Sequence, residues 1–140
     1  MVIFDTNVLV SAALIRGSQP DAALRAMLAR DIPMLFSEST FEELSEVLMR
    51  EKFDRYVSRA ARVAFLDQLN RSAIIIGDSA LGVRIDICRD PADNRFLELA
   101  LATASKFIIT GDADLLVLDP FRKVRILTVG AFVEVMATLE

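Results

Sequence analysis

Hydrophobic residues recur along this 140-residue chain in two alternating patterns. Short apolar runs are typical of buried strands, and longer segments with apolar residues every three or four positions are typical of helices. The short runs predict strands at residues 2–4, 33–36, 73–76, 106–110 and 124–129. The longer segments predict helices at residues 5–14, 21–30, 37–50, 52–70, 91–105, 114–118 and from about 130 to the end. One further stretch, "VRIDI" at 83–87, alternates strictly.

Strands that alternate with helices, and that are apolar enough to be covered on both faces, predict a mostly parallel sheet between two helical layers. The expected fold class is therefore α/β, a three-layer α/β/α sandwich. With 54% hydrophobic and 26% charged residues, the chain suits one domain spanning residues 1–140. No apolar run is long enough for a membrane span and no basic leader is seen, so we expect a soluble, cytoplasmic protein.

Four acidic residues fall where this fold would gather them at one rim of the sheet. Asp5 directly follows the first predicted strand, and Asp112 lies two residues beyond the fourth. Glu43 lies early in the third predicted helix, and Asp93 lies in the first turn of the fifth. Because α/β sheets bind ligands outside the carboxyl ends of their strands, these four carboxylates mark a candidate site.

Helical spacing separates Glu43 from its acidic neighbours. At ~100° per residue, Glu43 falls beside Val47 on the flank of the apolar stripe, whereas Glu42 and Glu46 fall nearly opposite. Ser39 and Glu42 instead fit a capping box, and Glu46 fits a solvated surface acid. Only Glu43 is expected to face inward.

Asp93 lies in line with Leu97 and Ala100, on the stripe that should be buried. Its alternative role is that of a first-turn acid answering the helix dipole, with Asp90 as the cap. Equivalent local roles exist for the other three acids: a turn or cap for Asp5 and Asp112, and a half-exposed helix position for Glu43.

Gathered carboxylates repel one another, so some must take up protons unless a cation lies between them. The chain has a net charge of −4 and no histidine, which argues against zinc and leaves oxygen ligands for any metal. Oxygen ligands favour Mg²⁺ or Mn²⁺, and the natural chemistry of such a centre is phosphodiester hydrolysis. The lone cysteine, Cys88, is given no role.

Three segments carry a resemblance to a known family: "FDTNVLVSA", "SESTFEELSEVLMREKFDRYVS" and "CRDPADNRFLELALATASKFIITGDADLL". The chain resembles PIN domains, in particular the VapC-like toxins of bacterial toxin–antitoxin pairs. The resemblance implies a compact sheet between helices and a Mg²⁺- or Mn²⁺-dependent ribonuclease. It maps the acidic quartet of the family onto Asp5, Glu43, Asp93 and Asp112. It further implies a small antitoxin bound across the active-site groove, and a homodimer.

Polar neighbours of the quartet fit supporting roles. The resemblance assigns Asn7 and Thr110 as helpers of the carboxylates, and we interpret them, with Thr6, as groups that fix carboxylate rotamers. All three also fit ordinary capping at strand and helix ends. Asp114 fits either an outer metal ligand or a helix cap.

Basic residues crowd the middle of the chain, and Arg50, Lys52 and Arg55 are candidates for contacting RNA. Arg55, Arg59 and Arg62 share a helical face that Leu66 and Leu69 continue. Their stems are therefore more simply interpreted as covering apolar surface while their charged heads reach water.

Two other functions remain open. An aspartyl-phosphate phosphatase would use Asp5 as nucleophile, but such enzymes usually carry a second acid two residues on, where this chain has Asn7. A catalytically silent PIN-like module would bind RNA or protein without cutting, and the presence of all four acids argues against that loss.

Overall fold

The computed structural model describes residues 1–138. Its strands are Val2–Phe4 (β1), Leu35–Ser37 (β2), Ile74–Ile76 (β3), Phe107–Ile109 (β4) and Arg125–Leu127 (β5). Its α-helices are Thr6–Leu14 (α1), Gln19–Ala29 (α2), Glu38–Leu48 (α3), Arg59–Ser72 (α4), Asn94–Thr103 (α5), Ala113–Leu116 (α6) and Val129–Ala137 (α7). Short 3₁₀ turns occupy Glu51–Phe53, Asp78–Ala80 and Pro91–Asp93. The end of the last predicted helix, 139–140, lies outside the described residues.

All strand pairs are parallel, as the sequence predicted. β1 pairs with β4 and β4 with β5, while β2 pairs with β3. A parallel bridge between Val2 and Met34 joins the two groups, so the strands lie in the order β3-β2-β1-β4-β5. The strand order reverses between β1 and β4, and the crevice at such a reversal is where open α/β sheets bind ligands.

Alternate residues of β1, β2, β4 and β5 face two separate cores, which confirms the three-layer sandwich. Phe4 of β1 packs in one cluster with residues of α1, α2, α3, α4 and α7. Ile3 of β1 and Ile108 of β4 pack in the other cluster, with Leu97 of α5 and Leu115 of α6. The period-2 alternation of strand side chains thus covers both faces of the sheet with helices. No helix within the described part of the chain is long and apolar enough to cross a membrane.

One strand expectation requires correction. The run 73–76 was expected to be buried, but Ile74 and Ile75 are 44% and 36% exposed. The reason is that β3 is an edge strand with β2 on one side only. The alternating stretch 83–87 forms no strand, and its Ile85 N–H instead donates to Glu98 Oε2 at 2.8 Å.

Helix starts also differ from expectation. The segment 52–70 is not one helix, because a 3₁₀ turn and a bend precede α4, which Ser58 caps through the Ala61 N–H at 3.1 Å. The capping box of α3 is formed by Ser37 and Thr40, not by Ser39 and Glu42. β2 ends at Ser37, one residue later than predicted, and Ser37 is the N-cap of α3.

Arg62 overturns the expectation that its charged head reaches water, because its side chain is fully buried. Its guanidinium donates to the backbone oxygens of Leu48 at 2.9 Å and Arg50 at 3.2 Å, and it forms an ion pair with Asp54. A buried guanidinium requires such partners. Arg62 therefore ties the end of α3 to α4.

Candidate active site

Asp5 and Asp112 lie beside the strand reversal because β1 and β4 are neighbours and both acids follow those strands. The Asp5 side chain is buried and accepts a hydrogen bond from Thr110 Oγ1 at 2.7 Å on Oδ2. The same Thr110 oxygen accepts the backbone N–H of Asp112 at 3.0 Å. One buried threonine hydroxyl thus connects the first acid to the last.

Asp93 completes a group of three interacting carboxylates. It ends the 3₁₀ turn before α5, and Asp90 caps that turn by accepting the Ala92 N–H at 3.0 Å. Burial, the negative charges of Asp112 and Asp5, and a hydrogen bond to Asp112 raise the pKa of Asp93 to about 7. A carboxyl that titrates near neutral pH is a mark of a functional site when the cause is other charges in a cleft.

Burial also raises the pKa of Asp5, and the charge of Asp112 adds to the effect. The hydrogen bond from Thr110 and the backbone N–H groups of Asn7 and Thr6 act in the opposite direction, because they favour the charged form. Asp5 is therefore a desolvated carboxyl held by donors on one side and facing a like charge on the other.

Glu43 is half-buried on α3, while Glu42 and Glu46 are exposed, as helical spacing predicted. Its Oε2 accepts a hydrogen bond from Thr6 Oγ1 at 3.1 Å. Because Thr6 directly follows Asp5, this bond attaches Glu43 to the start of α1. Glu43 is therefore connected to the other acids through Thr6.

Asp112, not Asp114, is the N-cap of α6, since its Oδ1 accepts the Asp114 N–H at 2.9 Å. The carboxylate of Asp114 instead lies 4.0 Å from Arg89 Nε. Asn7 is exposed, and within residues 1–138 its side chain makes no hydrogen bond to a carboxylate. Thr6 and Thr110 thus contact the acids through their side chains, whereas Asn7 does so through its backbone.

Two hollows open at this end of the sheet. One, of about 460 Å³, is lined by Asp5, Asn7, Thr110 and Asp112 together with residues of α1 and the start of α7. The other, of about 350 Å³, contains the third-helix acids and two cations. Its lining residues are Ser39, Glu42, Glu43, Glu46, Val47, Arg50 and Arg95.

Of the three predicted RNA-contacting residues, Arg50 lies at the site, since it lines the hollow of Glu43 and is 3.8 Å from Glu46. Lys52 and Arg55 line neither hollow; they stack over the rings of the adjacent aromatic residues, at 5.1 and 5.7 Å. Of the basic residues in the segment 49–58, which joins α3 to α4, only Arg50 therefore lies beside the acids of α3.

Sequence reasoning missed Arg95, which lines the hollow of Glu43 from the first turn of α5. A signal for it was present. A cation in the first turn of a helix interacts unfavourably with the helix dipole. An arginine at that position therefore indicates a role other than stabilising the helix.

The acids suit a hard divalent cation by their donor chemistry, because they offer oxygen ligands and excess negative charge. Mg²⁺ usually takes only one or two carboxylates, and the carboxyls of Asp93 and Asp112 interact directly through a hydrogen bond. As placed, however, no three acidic or thiol side chains within residues 1–138 form a group that could hold one ion. The arrangement supplies carboxylate pairs, not a preformed cage of all four.

The fold and this rim of acids define a nuclease-type α/β domain. The sequence profile of the PIN domain matches residues 1–114, and the chain belongs to the PIN domain family. It is similar in fold to the crystal structure of PAE2754 from Pyrobaculum aerophilum, with a TM-score of 0.63 and 16% sequence identity, covering 97% of this chain and 89% of that one. No curated protein matches it.

Proposed function

We propose that this protein is a Mg²⁺- or Mn²⁺-dependent endoribonuclease. Membership of the PIN family, whose members are generally nucleases, supports the class. The single observation that carries the proposal is the convergence of Asp5, Asp93 and Asp112 at the strand reversal, where burial and the other two charges raise the pKa of Asp93 to about 7. Three interacting carboxyls in one crevice repel one another, which destabilises the folded state. A bound cation offsets this repulsion.

In this proposal Asp93 and Asp112 bind the cation, Asp5 adds its negative charge beside them, and Glu43 acts from the adjoining hollow. A bound Mg²⁺ or Mn²⁺ would supply positive charge that makes water more acidic and neutralises the phosphate being attacked. Thr110 fixes the rotamer of Asp5 and the backbone of Asp112, and Thr6 orients Glu43. Asp114 serves as an outer group, held apart from the centre by Arg89.

The biological role that we propose is that of a toxin in a toxin–antitoxin pair, acting in the cytoplasm. This rests on the resemblance of nearly the whole chain to VapC-like toxins. The expected partners are RNA as substrate and a small antitoxin that covers the acids, and the expected assembly is a homodimer. Coexpression with the product of the neighbouring reading frame, followed by copurification, tests the antitoxin.

Incubation of end-labelled single-stranded RNA with the purified protein tests the activity. We expect cleavage with Mg²⁺ or Mn²⁺, none in excess chelator, and none with the Asp5→Asn variant. Circular dichroism of the variant checks that the fold survives. Equal cleavage by the variant and the parent protein, or undiminished cleavage in chelator, would contradict the proposal; RNA binding without cleavage would favour a silent binding module.

A further inference from the structure

A third hollow, of about 360 Å³, adjoins the acids but has no part in the chemistry above. It opens where β2 and β3 end, beneath the loop that follows β3. Its lining includes Ser39, Asp78, Arg84, Arg95 and Glu98. The volume falls in the range of about 300–1,000 Å³ that is typical of small-ligand pockets.

This third hollow adjoins the hollow of Glu43, because Ser39 and Arg95 line both. A polymer that passes the acids along this rim could therefore extend from one hollow to the next past Arg95. Arg84 also lines the third hollow, and Arg50 also lines the hollow of Glu43. The two adjoining hollows thus contain three cations.

The charge of Arg95 is available to a ligand. The side chain is exposed, and within residues 1–138 it makes no ion pair or hydrogen bond. Two other arginines near the site, by contrast, have acidic partners: Arg50 lies 3.8 Å from Glu46, and Arg89 lies 4.0 Å from Asp114. An unpaired guanidinium between two hollows is suited to a phosphate, which it can bind with two parallel hydrogen bonds.

The walls of the third hollow offer hydrogen-bond acceptors. Asp78 uses Oδ1 to accept from Ser39 N at 3.3 Å and from Ser39 Oγ at 3.0 Å, which holds the carboxylate in place. Glu98 uses Oε2 to accept from Ile85 N. The second oxygen of each carboxylate makes no hydrogen bond in the described part of the chain, and it can accept from an amino group.

We propose that the third hollow is a nucleotide subsite next to the cleavage centre. Arg95 binds the phosphate that leads into it, and Asp78 and Glu98 accept hydrogen bonds from the exocyclic amine of the base. The subsite would therefore favour adenine, cytosine or guanine over uracil, which has no exocyclic amine. This inference rests on the proposed ribonuclease function and adds the recognition of one flanking nucleotide.

The test measures binding without cleavage, using the Asp5→Asn protein as the parent and labelled single-stranded RNA decamers in an anisotropy titration across salt concentrations. Added Arg95→Gln should weaken binding about tenfold at low salt. It should also reduce the slope of log K against log salt by about 0.7, the amount expected for one lost phosphate contact. The matched control is Arg122→Gln, another exposed arginine, placed before β5 at the opposite end of the sheet.

Base recognition is tested by comparing oligo-adenylate or oligo-cytidylate with oligo-uridylate of equal length. We expect the parent to prefer the amino bases, and Glu98→Gln to reduce that preference at least about threefold. Equal effects of Arg95→Gln and Arg122→Gln, or a preference unchanged by Glu98→Gln, would overturn the subsite while leaving the ribonuclease proposal intact. Failure of the parent protein to bind any RNA would overturn both.

Discussion

Asp5 and Asp21 are buried to nearly the same degree, 6% and 8% exposed, yet their pKa values shift in opposite directions. Asp21 accepts the Gly17 N–H at 2.8 Å and Arg25 Nε at 3.1 Å, and the pKa of Asp21 is lowered by these donors. The pKa of Asp5 is raised by burial and by Asp112. Burial thus outweighs the hydrogen-bond donors at Asp5, whereas the donors, which include the cation Arg25, outweigh burial at Asp21.

Asp119 and Asp93 repeat the contrast at the two ends of the sheet. Asp119 accepts two hydrogen bonds from Arg125, at 3.0 and 3.2 Å, and one from Ile126 N at 2.7 Å, and these lower its pKa. The pKa of Asp93 rises to about 7 among like charges. Asp21 and Asp119 each have an arginine partner, whereas Asp93 interacts with the like charges of Asp112 and Asp5.

The largest expected effect separates Asp5 from Asp21. Asp5→Asn should lower RNA cleavage at least about a hundredfold, since it removes a carboxylate from the centre. Asp21→Asn should leave the cleavage rate per folded molecule unchanged. Single-turnover cleavage rates of both variants measure this. Comparable losses of cleavage in Asp5→Asn and Asp21→Asn would contradict a functional role specific to Asp5.

Thr110 allows a more specific test of the site, because it contacts Asp5 and Asp112 but carries no carboxylate itself. Thr110→Val keeps the shape but loses the hydrogen bonds to Asp5 and Asp112, so cleavage should fall about 10- to 100-fold. Thr110→Ser restores the hydroxyl and should recover most of the rate. A valine variant as active as the serine variant would show that the hydroxyl does not orient the acids.

For the free energy of unfolding, we expect Asp21→Asn to have the larger effect and Asp5→Asn the smaller one. Asp21→Asn weakens the interaction with Arg25 and should lower the free energy of unfolding by about 1–2 kcal/mol. Asp5→Asn removes a charge that faces another charge, and should leave that free energy unchanged or raise it. Urea denaturation in the presence of chelator measures both. Greater destabilisation by Asp5→Asn than by Asp21→Asn would assign Asp5 to the structural class.

A further effect is on pH dependence. The folded protein binds the proton of Asp93 with a pKa of about 7, against an ordinary value of 3.8. Between these values the folded state holds more protons than the unfolded chain, so stability falls as pH rises towards about 7. The melting temperature in chelator should therefore decrease from pH 5 to pH 8, and it should decrease less in Asp93→Asn. A parallel decrease in both proteins would exclude Asp93 as its source.

The sequence predicted the parallel sheet, the two helical layers and the inward position of Glu43, because each depends on a local period that buries one face. It could not predict that β3 is an edge strand. Strand order depends on which strands pair, and a run such as "III" is the same in the centre of a sheet or at its edge. The burial of Arg62 escaped prediction for a similar reason, since its partners, Leu48 and Asp54, lie on other elements.

At the site, the sequence suggested which acids share a rim, because strand ends and first turns fix that placement. It could not give their mutual arrangement. Thr110 contacts Asp5 across 105 positions, and Glu43 meets Thr6 across 37. Such contacts depend on side-chain rotamers and on the crossing of helices, which no local pattern encodes. Arg95 was not predicted because it lies far along the chain from the basic cluster near residue 50 and reaches Glu43 only through the fold.

The central claim is that the carboxyls at the strand reversal are there to share a divalent cation. The direct measurement is calorimetric titration of Mn²⁺ at pH 7 in two buffers of different ionisation enthalpy. We predict saturable uptake accompanied by proton release, because Asp93 is partly protonated at that pH. Both signals should be lost in Asp112→Asn and kept in Asp21→Asn. An absence of saturable uptake by the unmodified protein, or equal uptake by Asp112→Asn, would contradict the claim.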